Sequence, residues 1–261
     1  MSLITFISAK GSPGVSTAVT TLASLWPRPV VAADLDIVGG DIALRHRTGD
    51  GSPLQENRGL MSLGAALRSG DQSDLDDHLQ ATEDGLLVLT GVSTPGQTRG
   101  LGTAWPHIGA ALRAHDADVL VDGGRFVPGS PLTPVMECSS ALVFVARADL
   151  EGLAHLRTRL SALQESIRIG SMEGTRIGYT LVGDPGDVRG TTDTERLLAS
   201  AGISASLLGV IGHDPRAVAG LQVDSPRRLR RSLYIRSLID VAERIRTFAG
   251  VRVDSQEAVT R

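Results

Sequence analysis

The sequence predicts an α/β protein with a doubly wound, mainly parallel sheet and helices on both faces. Short apolar runs rich in β-branched residues alternate with longer helix-like stretches, as expected when strands are buried on both faces. The first run leads through a glycine-containing loop directly into a helix start. A length of 261 residues is enough for one large domain of this class with a substantial core.

The elements follow from these runs and from helical periodicity. The predicted strands are Leu3 to Ser8, Val30 to Asp34, Gly85 to Leu89, Val119 to Asp122, Ala141 to Ala146, Arg176 to Val182 and Ser206 to Ile211. The predicted helices are Ser16 to Leu25, Leu63 to Arg68, Leu101 to Ala114, Leu150 to Glu165, Asp193 to Ser200 and Ser232 to Phe248. The last helix has apolar residues at helical spacing on one predicted core face, namely Leu238, Ile239, Ala242, Ile245 and Phe248.

The chain shows no internal repeat and no clear second domain. We therefore predict a single domain over residues 1–250 and a flexible polar tail over residues 251–261. Residues 47–59 contain Gly, Pro and Asn and predict an irregular surface loop.

Composition narrows the class of protein. The net charge of -3 argues against attraction to nucleic acid by bulk charge. The single cysteine, Cys138, excludes an intrachain disulfide framework, and no apolar run is long enough to span a bilayer. These features predict a cytoplasmic protein. Among 25 arginines there is one lysine, Lys10, and it lies in the glycine-containing loop.

This loop has the context that phosphate binding requires. It joins a hydrophobic strand to a helix start, so backbone N–H groups and the helix N-terminus converge on one anion. Gly11 and Gly14 permit a backbone path that side chains would obstruct, and Ser16 lies where a hydroxyl can bind magnesium. The ordinary motif has a lysine at the position of Val15.

The loop resembles the deviant Walker A motif of the ParA/MinD family, lysine-glycine-glycine-x-glycine-lysine-serine/threonine-threonine. The resemblance implies a P-loop NTPase domain that binds ATP or ADP with Mg²⁺ as a homodimer, in which the matched lysine reaches the partner's nucleotide. The matching positions are Lys10, Gly11, Gly14, Ser16 and Thr17. The departures are Ser12 for a glycine, Pro13, which lacks an N–H donor, and Val15 for the second lysine. By position, Ser12 and Val15 are still expected to line the nucleotide.

Asp34-Leu-Asp36, followed by Gly40-Asp41, resembles the second strand and switch segment of the family, in particular its CpaE/TadZ pilus-assembly branch. By that resemblance Asp36 positions the attacking water and Asp34 supports the magnesium site. The alternative for an isolated Asp-x-Asp is a solvated turn.

Three further aspartates match the family in order. Asp122 ends an apolar strand as the Walker B aspartate does, and the resemblance implies that it holds magnesium. Asp184 and Asp214 follow the late strands and are implied near the adenine. Each has a plainer alternative: Asp184 in a turn, and Asp214 as the N-cap of a helix beginning at Pro215.

A basic cluster precedes the last helix, formed by Arg227, Arg228, Arg230 and Arg231. It is either a solvated face or a site for DNA phosphates or an acidic partner.

Two functions stay open. The first is an ATP-binding positioning switch, used in partition, polar localisation or pilus and secretion assembly, in which Lys10 supplies the charge that Val15 lacks and hydrolysis is weak or absent. The second is a pseudo-ATPase scaffold that binds protein partners without nucleotide.

Overall fold

The computed structural model describes residues 1–11, 13–70, 74–168 and 175–251, with the backbone alone for residues 165–168. The described strands are β1 (Leu3–Ser8), β2 (Val30–Asp34), β3 (Gln80–Ala81), β4 (Leu87–Leu89), β5 (Asp118–Arg125), β6 (Ala141–Arg147), β7 (Arg176–Gly183) and β8 (Ser206–Gly212). They form one eight-stranded sheet in the order β3-β4-β2-β5-β1-β6-β7-β8. β3 is antiparallel to β4, and the other neighbouring strands are parallel. The predicted fold class is confirmed.

Helices connect the strands. They are α1 (Val15–Leu25), α2 (Ile42–Arg45), α3 (Leu60–Ser69), α4 (Pro95–Leu101), α5 (Trp105–Ala114), α6 (Thr133–Cys138), α7 (Leu150–Arg168), α8 (Val188–Ser200), α9 (Pro215–Gly220) and α10 (Leu233–Ala249), with 3₁₀ turns at Leu75–His78 and Gly102–Ala104. Within the described ranges, no helix has both the length and the apolar character needed to cross a bilayer.

Two apolar cores lie on opposite faces of the sheet. Along β1, Leu3 and Ile7 belong to one core, and Ile4 and Phe6 belong to the other. The first core is completed by residues of α3, α5 and α7, and the second by residues of α1 and α10. Burial on both faces explains why the central strands are continuous apolar runs in the sequence.

Most predicted elements are present with shifted ends. The predicted helix over Leu101 to Ala114 is wrong, because the chain there forms the end of α4, a 3₁₀ turn and then α5. Gly102 has φ 51° and ψ −119°, which ends α4, and Pro106 occupies the start of α5, where a missing N–H is tolerated. The elements β3, α2, α4 and α6 were not predicted, because two to seven residues carry too little periodicity to be recognised.

Other local predictions are confirmed. Residues 47–59 are irregular apart from one antiparallel bridge between Arg47 and Pro53. Helix α10 buries Leu238 and Ile245 on the predicted core face. The tail predicted over residues 251–261 lies outside the described residues from position 252 onward.

A buried polar network holds together the amino end of the sheet. The carboxylate of Asp118, at the start of β5, is fully buried. It accepts hydrogen bonds from the Ser2 backbone N–H and the Trp26 indole N–H, both at 2.9 Å, and the Arg28 guanidinium lies 3.8 Å away. The network ties the chain before β1 and the end of α1 to β5.

Candidate functional site

The candidate site lies where β1, β2 and β5 end together in the middle of the sheet. In the strand order, β5 and β6 flank β1, and β2 lies beyond β5. Parallel strands point their carboxyl ends to one edge. The connection after β1 runs toward β2, and the connection after the neighbouring β5 runs the opposite way toward β6, so a crevice forms there. The loop after β1 and the aspartates after β2 and β5 meet at this edge.

The loop ends in an open helix N-terminus. Gly11 has φ 70° and Gly14 has φ 94°, so both adopt the left-handed conformation that favours glycine. Helix α1 begins after Gly14, and its first intrahelical bond runs from the Ala18 N–H to the Gly14 carbonyl. Among the described residues, no side chain caps this terminus. The first-turn N–H groups therefore point toward the crevice without helical partners, which suits an anion.

Three predicted residues occupy the first turn of α1. The side chain of Val15 is 6% exposed and belongs to the apolar core, so the position that usually carries the phosphate-binding lysine is used for packing. Ser16 and Thr17 are half-buried, and the Ser16 side chain interacts with the Asp122 carboxyl.

Carboxylates from two neighbouring strands face this turn. Asp34, the last residue of β2, pairs with Asp122 of β5, and both side chains are buried. Asp34 accepts from the N–H groups of Ile42 at 3.0 Å and Asp36 at 3.3 Å, so both its oxygens are engaged. Oδ1 of Asp122 accepts from the Gly124 N–H at 2.9 Å. Oδ2 of Asp122 is buried without a hydrogen bond of normal geometry to any described residue.

Glycines make room for these carboxylates. A Cβ at Gly40 or Gly91 would overlap the Asp34 carboxylate, and a Cβ at Gly124, where φ is 60°, would overlap that of Asp36. In the Gly-Gly-Asp pattern after β2, Gly40 is therefore explained by packing against the Asp34 carboxylate.

Burial makes the three carboxylates weak acids. The pKa of Asp34 is raised to about 7, mainly by burial and secondly by the charge of Asp122. Burial raises the pKa of Asp122 to about 6, opposed by the Ser16 side chain and the Gly124 N–H. Burial also raises the pKa of Asp36, opposed by the Val38 N–H that it accepts. A bound cation would relieve this cost of charging.

We expect the stability of the protein without divalent cations to fall as pH rises from about 4 to about 7. The folded state binds protons at Asp34 and Asp122 more tightly than the unfolded chain, whose carboxyls titrate near 3.8, so raising the pH favours unfolding. Chemical denaturation in a chelator at both ends of this range measures the effect. The free energy of unfolding of Asp122→Asn should decrease less over this pH range. An equal decrease in wild type and variant would contradict the assignment of the effect to Asp122.

The donor set suits Mg²⁺. Within the described ranges, no group of three or more His, Cys, Asp or Glu side chains is arranged to hold a metal ion. Magnesium, however, takes one or two protein oxygens beside phosphate oxygens and water. The unpaired Oδ2 of Asp122 and the Ser16 hydroxyl are such oxygens. Asp34 has both oxygens engaged by N–H groups, so its arrangement suits support of the site better than direct ligation.

The structure places Lys10 on the exposed part of the loop. Just before it, the carbonyl of Ala9 accepts a 3.4 Å hydrogen bond from Nε of Arg159 in α7. The predicted contact residue Ser12 lies outside the described residues.

Asp184 and Asp214 lie together at the ends of β7 and β8, where Gly183 pairs with Gly212. Asp184 is exposed and accepts from the Gly186 N–H at 2.8 Å, as expected for a turn. Asp214 accepts from the Ala217 N–H at 3.0 Å and caps α9, as its sequence alternative predicted. Since β7 is two strands from β1, these residues border the side of the crevice away from β2.

All four arginines of the basic cluster are exposed in the turn before α10: Arg227, Arg228, Arg230 and Arg231. Arg228 forms a 3.3 Å ion pair with Asp224 one helical turn earlier in the chain. The exposed guanidinium groups of the cluster are therefore accessible to a partner.

Sequence reasoning missed Arg45, the last residue of α2. Its Nη1 donates to the Thr17 hydroxyl at 2.7 Å, and its Nη2 forms a 2.7 Å ion pair with Asp41. Its charge also lowers the pKa of Asp122. Since 28 positions separate Arg45 from Thr17, a local motif could not reveal the contact.

Comparison with solved structures agrees with this architecture. The sequence matches no protein-family model and no curated protein. The cell division ATPase MinD of Pyrococcus furiosus superposes with a TM-score of 0.70 at 18% identity, over 94% of this chain and 98% of that chain. The septum site-determining protein MinD of Pyrococcus horikoshii OT3, complexed with Mg-ADP, gives 0.70 at 16% identity over 97% and 99%. A ParA family ATPase of Chlorobium tepidum TLS gives 0.70 at 20% identity over 93% and 97%. This chain therefore has the fold of the MinD and ParA ATPases.

Proposed function

We propose that this chain is an ATP-binding, dimeric positioning switch of the ParA/MinD type, with slow or absent hydrolysis. Its cargo belongs to chromosome or plasmid partition, polar localisation, or pilus and secretion assembly, the last suggested by the likeness of Asp34-Leu-Asp36 to the CpaE/TadZ branch. The observation that carries the proposal is the uncapped N-terminus of α1 facing buried carboxylates, one of which has an unpaired oxygen.

The phosphates would lie on the first turn of α1, against the N–H groups after Gly14 and the hydroxyls of Ser16 and Thr17. Backbone N–H groups and the helix dipole favour an anion at this position. The Pyrococcus horikoshii MinD was solved in complex with Mg-ADP, and this supports the proposal that the same fold binds a nucleotide here. Asp184 and Asp214, at the far side of the crevice, are proposed near the adenine.

Ser16 and Asp122 would hold Mg²⁺, and Asp34 would keep the segment after β2 in place through its two accepted N–H bonds. The ion would neutralise phosphate charge. Asp36 has one oxygen on the Val38 N–H and a raised pKa, which suits a group that orients a water molecule. Lys10 is proposed as the charge that reaches the phosphates across a dimer.

Exposed apolar side chains support self-association at the same edge of the sheet. Large apolar residues rarely cluster on the surface of a monomer without a binding role. Four of the exposed large apolar side chains lie in segments that follow the carboxyl ends of β2, β5, β6 and β7, namely Val38, Val127, Leu150 and Val188. If two copies associated through these segments, the loop after β1 with Lys10 in each copy would face the same loop of the other copy.

Calorimetric titration with ATP and ADP in the presence of Mg²⁺, followed by mass measurement in solution, tests the proposal. We expect binding of both nucleotides and a dimer with ATP. The competing function, a nucleotide-independent scaffold, is favoured by the burial of Val15 in the core. Wild-type protein that binds neither nucleotide would support the scaffold and contradict the switch.

We expect Val15→Lys to tighten ATP binding about tenfold, because a cation near the β and γ phosphates adds charge-assisted hydrogen bonds. The lysine stem can follow the apolar surface now covered by Val15 while the ammonium reaches the loop. Val15→Met is the matched control, since it lengthens the side chain without charge and should not tighten binding. Unchanged or weaker binding by Val15→Lys would favour the scaffold.

We propose weak, nonspecific DNA binding through the exposed arginine cluster. Phosphate contacts are electrostatic, so binding at low salt should weaken steeply as salt rises. The double variant Arg227→Ala with Arg230→Ala should reduce binding in mobility-shift titrations at two ionic strengths. Arg189→Ala with Arg196→Ala removes the same charge from exposed positions of α8 and is the control. If the two double variants bind DNA equally well, the arginine cluster is not a DNA-binding site, and a protein partner is the better assignment.

A further inference from the structure

The phosphate site is surrounded by carboxyl groups. Asp34, Asp36, Asp41 and Asp122 all lie around the first turns of α1 and α2, and Val15 contributes no charge there. A nucleoside triphosphate would add further negative charge. If the chain binds nucleotide as proposed above, a positively charged side chain of its own should offset the missing lysine.

Arg45 lies at the required place. Thr17 is the third residue of α1, and the Arg45 guanidinium donates to its hydroxyl, so the cation lies against the turn whose N–H groups have no helical partners. The Arg45 charge also acts on Asp122 at the other side of the site. Among the arginines with described side chains, Arg45 is the one hydrogen-bonded to this turn.

We propose that Arg45 replaces, within the same subunit, the phosphate-binding cation that Val15 cannot provide. Its guanidinium, held between Thr17 and Asp41, binds phosphate oxygens of a nucleoside di- or triphosphate at the N-terminus of α1. This inference rests on the proposed function and adds a residue that the loop motif does not contain.

The chemistry of the side chain suits this role. A guanidinium has five N–H donors in a planar fork, which matches two phosphate oxygens at once. One donor is engaged with Thr17 and another with Asp41, so donors are left for phosphate. The side chain is 41% exposed, so a ligand can reach it without unfolding the site.

A purely structural role makes a different prediction. If Arg45 acted as a clamp between α1 and α2, loss of its partner Asp41 would weaken the site as loss of Arg45 does. If Arg45 is a phosphate ligand, its ion pair with Asp41 competes with phosphate, and the charge of Asp41 also repels phosphate. Loss of Asp41 should then not weaken nucleotide binding. Asp41 precedes α2 but its side chain makes no capping hydrogen bond, so Asp41→Asn leaves the helix start intact.

The experiment is a calorimetric titration of Mg-ADP and Mg-ATP into wild type, Arg45→Gln, Arg45→Lys, Asp41→Asn and Arg47→Gln. We expect Arg45→Gln to weaken binding of both nucleotides about tenfold or more, and Arg45→Lys to restore part of the loss. Asp41→Asn should bind as tightly as wild type or more tightly. Arg47→Gln removes the same charge two residues away, on an exposed side chain, and should change affinity less than about twofold.

The outcomes separate this inference from the proposed function. Wild type that binds neither nucleotide contradicts the proposed function itself. Wild type that binds, together with equal affinities for Arg45→Gln and Arg47→Gln, overturns the role of Arg45 alone. Asp41→Asn that weakens binding as much as Arg45→Gln also overturns it, because it indicates a clamp. Thermal unfolding of each variant without nucleotide checks that the fold is kept.

Discussion

Lys10→Ala is expected to abolish ATP-induced dimerisation and to leave the thermal stability of the nucleotide-free protein nearly unchanged. Lys10 is exposed on the loop after β1, and surface substitutions usually change the free energy of unfolding by less than about 0.5 kcal/mol. In the proposed dimer the same ammonium reaches the phosphates, where Val15 offers no charge. Light scattering with and without ATP measures the first effect, and a thermal melt measures the second.

Arg196→Ala is the matched control for this variant. It removes one positive charge from a side chain on α8 that is 76% exposed. We expect it to dimerise with ATP as wild type does. An ATP-dependent dimer formed by Lys10→Ala would contradict the role assigned to this lysine.

Asp118→Ala is expected to do the opposite of Lys10→Ala: it should lose much of its thermal stability and keep nucleotide binding. Its removal leaves the Trp26 indole N–H and the Ser2 N–H without their acceptor and takes away the carboxylate that lies 3.8 Å from Arg28. Breaking a buried network of this kind costs about 3–5 kcal/mol. For a chain of this size, that lowers the melting temperature by on the order of 10 °C.

Urea denaturation measures this loss directly, with Asp116→Ala as the control. Asp116 is exposed two residues earlier, and its removal should cost less than about 0.5 kcal/mol. Equal stabilities of the two variants would contradict the structural role of Asp118. Asp118→Ala protein that remains folded should still bind nucleotide, because Asp118 begins β5 and Asp122 lies four residues further along the strand.

The parts of the fold that sequence reasoning found are those with long, unambiguous patterns. β1, β2 and β5 are buried on both faces and are therefore continuous apolar runs, and aspartates at their carboxyl ends necessarily share one edge of a parallel sheet. Asp34 and Asp122 were assigned to one magnesium site by resemblance to the family, and this rule explains why both lie at one edge. The strand pairing places these two residues opposite each other.

The parts that it missed depend on contacts between distant positions. Arg45 is the last residue of a four-residue helix too short to predict, and its contact with Thr17 exists only after α2 folds over α1. Asp118 was given no role, because its partners Ser2 and Trp26 come from two other parts of the chain. The substitution at Val15 was visible in the sequence, but its burial in the core was not.

The central position of β1 also affects how the chain is made. Leu3 lies opposite Val119, and Ile4 lies opposite Ala141, so both neighbours of β1 are encoded more than 100 residues later. At about 5–20 residues per second, the ribosome completes β5 on the order of 10 s after β1. During that interval the six residues LITFIS have both backbone edges free of their native partners, in a segment with strong β-propensity. Nascent chains are therefore most exposed to aggregation before β5 emerges, and a chaperone that covers this first strand should raise the yield of folded protein.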